Sequence, residues 1–464
     1  MAPVKKSVHP KCKGTVLIVA MIFVVIFAAL AVSMAAMSGT NVQIASNQHK
    51  VDCALGSASS GLEVERHWLA SVKMPSTTPE NKYLTTIDAI LQSNLDANGI
   101  SNITLKHTAS TISILPVTLD STAGLTFNGQ MSIPGNPYIL QVLTTGGGNQ
   151  ITRTIKTEFY IEPYKHPIFN YGLATKGPLN YTGNPTTSVA SESWEADMYI
   201  ESSNSDTAVA VAGNTKFQGN IMIGNPDADV TFGGDVIIGD DHGQEAIDNH
   251  VSIGVDPVEF PEPDTARFIT YANGITINST TDLAAPGMNT LINAKIAAGT
   301  NPTFPKGVII QGILLIYSPN VVTFQSNVAL QGIIVGLGDL TADPVIDRID
   351  FMGNFASGPY PIGAQFDEIR KEEGSSIVAP GFAATFQGNF STLEGVVALS
   401  GVSFSGNVAA QIKGTIINYS DTPLTIAGNA SMTFDRAATT KIPAGFDTLR
   451  VLTYNPSSYD EFTL

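Results

Sequence analysis

The densest concentration of side chains able to do chemistry lies in one stretch: Asp235, Asp240, Asp241, His242, Glu245, Asp248 and His250. Carboxylate oxygens in that number suit calcium, and the imidazoles of His242 and His250 would admit a transition metal. Asp240, Asp241, His242, Glu245 and His250 are the candidate ligands. Their spacing matches no defined cation loop, and a solvated acidic turn is the simpler reading. A second acidic run comprises Asp339, Asp343, Asp347 and Asp350, with Arg348 among them. Aspartates along one face of a parallel β-helix are the arrangement used to cut acidic polysaccharides, although an isolated acidic loop explains these residues too. No Gly-x-Ser-x-Gly elbow, Walker glycine loop, His-Glu-x-x-His or Cys-x-x-Cys accompanies either run. The sequence therefore predicts no catalytic residue and no cofactor. It reads as a non-enzyme, with a polysaccharide-acting enzyme as the alternative.

The elements that carry these residues follow from composition and pattern. The chain has 464 residues, 42 of them glycine, and only 14% are charged. That balance predicts two or three units and a β-rich body with many turns. The net charge is −16; setting aside Lys5, Lys6, Lys11 and Lys13, with no acid before Met37, leaves −20 on the remainder. Such a surface repels nucleic acid, so none is expected as a partner.

From about Ile168 an apolar–x–Gly–Asn pattern recurs. It ends at Asn184, Asn214, Asn220, Asn354, Asn389, Asn407 and Asn429, with near copies at Asp235 and Asn327. Eight to ten residues later a glycine often opens an aliphatic pair, as at Gly332, Gly395 and Gly414. From Gly312 to Gly332 is 20 residues, and from Gly395 to Gly414 is 19. A unit of that length with short strands predicts a stacked β-solenoid over 166–464, parallel β-helix-like. Each coil would turn Phe or Ile inward and place Gly-Asn at a corner, where those residues tolerate φ > 0 and stacked asparagines can hydrogen-bond from coil to coil. A β-sandwich with similar hairpin turns is the alternative, favoured by the lapse of the pattern over 240–298. Leu449–Leu464 is expected to cap one end, and Tyr454–Phe462 has no other assigned role.

Before the repeats, Tyr83–Ala97 has Leu84, Ile87, Ile90, Leu91 and Leu95 on one face, which predicts a short amphipathic helix stopped at Asn98-Gly99. Alternating runs at 103–105, 112–114, 138–142, 151–156 and 159–161 follow. Gly146 to Asn149 joins two of them as a hairpin.

The N-terminus holds the clearest signal. Val16–Val32, continued to Met37, is uninterrupted apolar sequence. A helix over 15–37 is roughly 35 Å long against a hydrocarbon core of about 30 Å. The lysines in front of it place the N-terminus on the cytoplasmic side and the body outside. Signal-peptidase cleavage near Ser33–Ala36 is the alternative, though the run exceeds the usual apolar region of a signal peptide. On this topology Cys12 and Cys53 lie on opposite sides and cannot pair. Val42, Ala45, Val51, Ala54, Leu55, Ala58, Leu62, Val64, Trp68 and Leu69 extend an apolar helix face to about Val72, despite Gly56 and Gly61.

Lys13 to Val19 with the span behind it, then Gln43-Ile44-Ala45-Ser46-Asn47, Ala54 and Ala58 to Glu63, resembles the N-terminal region of PilX-type minor pilins. It is similar also to K-type pseudopilins of type II secretion. The resemblance covers roughly residues 11–70. It implies cleavage by a prepilin peptidase after Gly14, with Thr15 as the new N-terminus, and packing of the helix against other pilin-like subunits. Major pilins carry a glutamate at the position of Val19, so a minor subunit is implied rather than a bulk one.

The expectation is thus an α+β, mainly β protein. It has a basic cytoplasmic leader (1–14), a transmembrane helix (15–37) and its amphipathic continuation (38–72). A small pilin-like helix-plus-sheet segment (73–165) and the β-solenoid (166–464) follow. The expected setting is the bacterial inner membrane, single-pass, with the body periplasmic or extracellular. The expected partners are the lipid bilayer, other pilin-like subunits and a surface polysaccharide or protein. The resemblance implies a structural component of a type IV pilus or related secretion or assembly system; a membrane-anchored β-helix adhesin or polysaccharide-acting enzyme is the alternative.

Overall fold

The computed structural model describes residues 13–148, 151–203, 206–340, 346–389, 391–406, 409–436 and 441–462. Lys5, Lys6, Lys11, Cys12, Asn149, Asp343 and Asn407 lie outside the described residues. The protein is mainly β, with one long apolar helix and many parallel strands. The chain divides into two compact units. One comprises Met1–Met74, Thr78–Glu162 and Val451–Leu464, the other Pro75–Thr77 and Pro163–Arg450.

The first unit is built on helix α1 (Lys13–Ala70), continuous through the apolar span and its continuation. Residues 16–49 are exposed on every side, Val42 and Ala45 among them, so the packed face begins later than the apolar pattern does. Its buried positions are Ala54, Ser57, Ala58, Leu62, Glu65 and Leu69, the three-to-four spacing of a single helical stripe. That stripe lies on strands β4 (Leu125–Ser132) and β5 (Ile139–Gly148). These belong to a sheet with β1 (Lys73–Pro75), β2 (Leu105–His107), β3 (Thr111–Asp120) and β6 (Ile151–Pro163). The helix backbone rests directly on the sheet at Gly146, where a Cβ would strike the amide of Ala58 and the carbonyl of Ala54. Gly61 faces the ring of Phe127, 2.5 Å from where its Cβ would be, so close packing offsets its low helix propensity. Gly56 meets nothing and carries that cost unrewarded.

Strands β5 and β6 form the expected antiparallel hairpin, with Gly148 opposite Ile151 and Ile139 opposite Tyr160. Helix α2 (Tyr83–Ala97) buries Tyr83, Ile87, Leu91 and Leu95, the first three in one core with Leu69, Met74, Ile112 and Phe159. The C-terminal strand Leu449–Phe462 departs from expectation. Instead of capping the repeats, it inserts between β1 and β6 of this sheet, where Leu452 joins the same core. Its polar, aromatic composition is that of a strand with one face in solvent.

The second unit contains sheets of twelve, nine and seven strands. Its first circuit, β7 (Leu173–Thr175), β8 (Leu179–Gly183) and β9 (Thr186–Val189), gives one strand to each. Successive circuits pair in parallel at the repeat spacing, Gly312 opposite Gly332 for example. Among the described pairs of this unit, only Val236–Ile238 with Asp241–His242 is antiparallel, so hairpins of the sandwich kind do not build these sheets. The order is not sequential. Circuit β7–β9 lies between Met198–Phe217 on one side and the last strands, Ile416–Asn418, Leu424–Gly428 and Ser431–Phe434, on the other. Residues 254–275 separate the strands at opposite ends of the twelve-stranded sheet, Val251–Ile253 and Thr276–Ile277. Phe268 and Ala272, with Val258, Phe260 and Tyr271, pack on Ile313, Leu315 and Ile333 of that sheet. This crossing is where the repeat pattern lapses. It also covers the second face of the sheet around Ile313–Ile316 and Ile333–Val335, which is why those stretches read as continuous aliphatic runs.

Inside, Phe304, Phe324, Phe351, Phe386 and Phe404 stack with ring centroids 4.9 to 5.3 Å apart and planes within 13°. That spacing is the distance between neighbouring strands. At the corners, Asn184 Oδ1 accepts from the Asn214 amide at 3.4 Å, and Asn214 Oδ1 from Asp235 at 3.2 Å. A second ladder runs from Asn327 to Asn354 to Asn389 at 3.2 and 3.1 Å. Gly183 has φ +95°, whereas Gly388 is required by the carbonyl of Gly353 beneath it. None of these asparagines has positive φ; their amide side chains, not their backbone tolerance, select them. Near Glu195, the last strand is fixed by buried Arg436, which donates to the carbonyls of Asn170 at 3.2 Å and Glu195 at 3.0 Å.

Candidate functional site

The acidic turn resolves into two separate pairs. His242 Nδ1 lies 3.4 Å from Asp235 Oδ1, both side chains more than half exposed. His250 Nε2 lies 3.3 Å from Asp241 Oδ2, and its Nδ1 is 3.0 Å from Asn220 Oδ1. Helix α3 (Gly243–His250) separates the two histidines, and eight residues of helix span about 12 Å. Asp248 accepts from Gln244 at 2.8 Å. Among the described residues no three His, Cys, Asp or Glu side chains come together as a metal site. Asp240, Asp241, His242, Glu245 and His250 therefore do not converge, because the helix holds the imidazoles at its two ends.

The second acidic run is split by strand alternation. In Asp347–Phe351, positions 347, 349 and 351 point inward, and 348 and 350 outward. Asp347 is fully buried and accepts from Ser318 Oγ at 2.6 Å and the Asn320 amide at 2.9 Å. It is a corner fastener. Asp350 is bound by Arg348 at 2.9 Å and stands in an outward column between Thr323 and Thr385. Asp339 has a partner of its own. No shared carboxylate face results from Asp339, Asp347 and Asp350.

Two features were not singled out by sequence reasoning. The first is a groove of about 530 Å³ at a corner of the second unit. Along one side Gly374 and Gly395 stack backbone on backbone, and Gly414 continues the column: a Cβ on Gly395 would lie 2.7 Å from the Gly374 carbonyl, and one on Gly414 would strike that of Gly395. With no side chains at these positions, the groove is open beside Glu394 and Lys413. These two are in register on adjacent strands, 3.6 Å apart and each 39% exposed. Facing residues include Tyr360, Arg370, Glu373 and Lys441. Lys441 pairs with Glu373, and Arg370 with Asp367. The Tyr360 hydroxyl donates to the Glu372 carbonyl at 3.0 Å. The Glu372 carboxylate is held in turn by Arg267 and Tyr271. The signal was in the repeats: the residue before the corner glycine is charged in Glu394-Gly395 and Lys413-Gly414.

The second feature is Glu65, fully buried between α1 and its sheet. The Thr144 hydroxyl donates to its Oε2, while Oε1 has no hydrogen-bond partner. Gly129 on β4 leaves the space for that oxygen. Burial pushes the carboxyl pKa up to about 8, against a smaller opposing effect of Thr144; the group is uncharged at neutral pH.

Among the described residues one helix, Val16–Ala70, is long and apolar enough to cross a membrane, a property shared by membrane anchors and signal sequences. Cys53 is a free thiol on α1, 3.7 Å from His49 Nε2.

No family model and no curated protein matches the chain. Among solved structures it is similar to the competence-associated pilin ComZ from Thermus thermophilus, at 12% identity and a TM-score of 0.29, over 89% of this chain and 98% of that one. It is similar also to an ice binding protein from an Antarctic biological consortium, at 13% identity and a TM-score of 0.18, over 59% of this chain and 91% of that one.

Proposed function

We propose that this chain is a minor-pilin-like protein of the bacterial envelope, acting by assembly rather than by catalysis. The apolar part of α1 inserts in the inner membrane with the N-terminus cytoplasmic. A prepilin peptidase cuts between Gly14 and Thr15. The three-sheet unit is a parallel β-solenoid displayed outside, where it meets a surface polysaccharide or protein.

The observation that carries this reading is the contrast along α1. Residues 16–49 are exposed on every side, whereas the turns from Ala54 to Leu69 are clamped to an antiparallel sheet. Exposed apolar side chains from Val16 to Met37 each cost about 1.5–3 kcal/mol in water relative to burial. Lipid, or the same helix of neighbouring subunits, removes that cost. The stretch 38–49 then extends the helix by about 18 Å, with no tertiary support of its own. A helix of this kind, apolar and bare at one end and built into a folded head at the other, suits a subunit that leaves the bilayer for a helix-cored fibre.

The test is an intact mass of the membrane-extracted protein from its host. A chain beginning at Thr15 supports the processed, pilin-like reading. A chain retaining Lys5 to Lys13 refutes processing and leaves a static single-pass anchor.

A further inference from the structure

The geometry points to the corner groove between Glu394–Lys413 and Tyr360–Lys441 as a binding site for an uncharged oligosaccharide of roughly two or three rings. Its volume, about 530 Å³, falls within the ~300–1,000 Å³ range of small-ligand sites. The proposal rests on the β unit being displayed outside the membrane, where such glycans are met.

The chemistry of the lining selects the ligand class. The lining cations Lys413 and Lys441 are matched by the lining acids Glu394 and Glu373, and Arg370 is paired with Asp367 one helical turn away, outside the lining. A charge-balanced wall offers ammonium donors and carboxylate acceptors side by side, the combination that holds neighbouring hydroxyls on one pyranose ring. An anionic glycan would gain little from such a wall and would be repelled by a chain of net charge −16. A lipid tail would have to cover the ion pairs Glu394–Lys413 and Glu373–Lys441, at a desolvation cost that hydroxyls do not impose.

Two further features make the groove a formed site rather than a surface dip. The column of corner glycines keeps side chains out beside Glu394 and Lys413, so a ring can approach backbone as well as side chain. On the facing side, Tyr360 is anchored by its hydroxyl, and behind it Glu372 is tied to Arg267 at 3.1 Å and Tyr271 at 2.9 Å. Tyr360 packs on the apolar cluster behind the groove, so this wall is rigid and costs little entropy to order on binding. The ion pairs themselves are exposed, and exposed pairs contribute only ~0–1 kcal/mol; they hold the groups in place and re-pair readily.

The test is isothermal calorimetry on the full chain in detergent. The probes are cellotriose, maltotriose and triacetylchitotriose, with trigalacturonate as the charged comparator. At least one neutral trisaccharide should bind ten times tighter than trigalacturonate, with little dependence on salt. Glu394→Gln and Lys441→Met should each weaken it at least tenfold. Lys441 is 73% exposed, so its variant keeps the fold. Three results would overturn the proposal: no neutral probe binding at millimolar concentration, tighter binding of trigalacturonate, or binding indifferent to both variants. None of these depends on where the N-terminus is cut, so failure here leaves the pilin-like reading intact.

Discussion

Replacing Glu65 by glutamine should abolish a pH dependence built into the joint between α1 and its sheet. The folded chain holds this carboxyl proton up to about pH 8, whereas an unperturbed glutamate releases it near 4.5. Between those values the folded state binds a proton that the unfolded state has lost. The contribution is therefore fully present below pH 4.5 and declines as pH rises, by ~1.4 kcal/mol per unit. The loss is on the order of 3 kcal/mol at pH 7 and 4 kcal/mol at pH 8. No neighbouring cation offsets it. Strands β4 and β5 carry no charged side chain, and on β3 only the terminal Asp120 does. On α1, Arg66 is paired with Glu63 at 2.6 Å and lies over the Tyr454 ring. Amide hydrogen exchange of residues 54–69 and 125–148, corrected for intrinsic rates, reads this joint locally. In the full chain, protection should fall at least a hundredfold from pH 5 to pH 8; in Glu65→Gln it should hold steady. The same pH dependence in both proteins would refute the assignment of a buried, neutral carboxyl.

Gly146→Val should lift α1 from its sheet, since no side chain fits beneath Ala54 and Ala58. A loss of about 3 kcal/mol is expected, as for severe overpacking, measured by urea unfolding followed through Trp68 in a Trp194→Phe background. Phe351→Ala removes the middle ring of the stacked column and should cost ~3–5 kcal/mol, read as a lowered calorimetric transition of the second unit. Phe351→Leu, which refills most of that space, should recover more than half of the loss.

Local sequence carried the helix, the hairpin and the repeats, because each is encoded by residues close together in the chain. Apolar side chains without interruption dictate α1, and alternation around Gly146–Gly148 dictates β5 and β6. The twenty-residue spacing appears directly as the parallel register of Gly312 with Gly332. The candidate chemistry was less legible, because convergence is a property of distant residues. The seven acids and histidines between Asp235 and His250 are adjacent in sequence, yet a two-turn helix holds them apart. Asp347 and Asp350 are three residues apart, yet strand alternation turns one into the core and the other outward, half-buried under Arg348.

Only the tertiary structure decided how the circuits are ordered. The circuits share apolar residues inside and Gly-Asn or its near copies at their corners, so nothing local distinguishes a sequential stack from one in which β7–β9 sit beside the last circuit. The crossing at 254–275 settles it, by carrying the chain from Val251–Ile253 at one end of the twelve-stranded sheet to Thr276–Ile277 at the other. Glu65 belongs to the same class. Its spacing, three residues after Leu62 and four before Leu69, puts it on the apolar stripe, but only the approach of Gly129 and Thr144 decides what surrounds the carboxyl. The sequence by itself specified the parts and their solvents: a bare apolar helix, an antiparallel sheet and a β-repeat body. The fold chose their partners, because burial depends on what arrives from elsewhere in the chain.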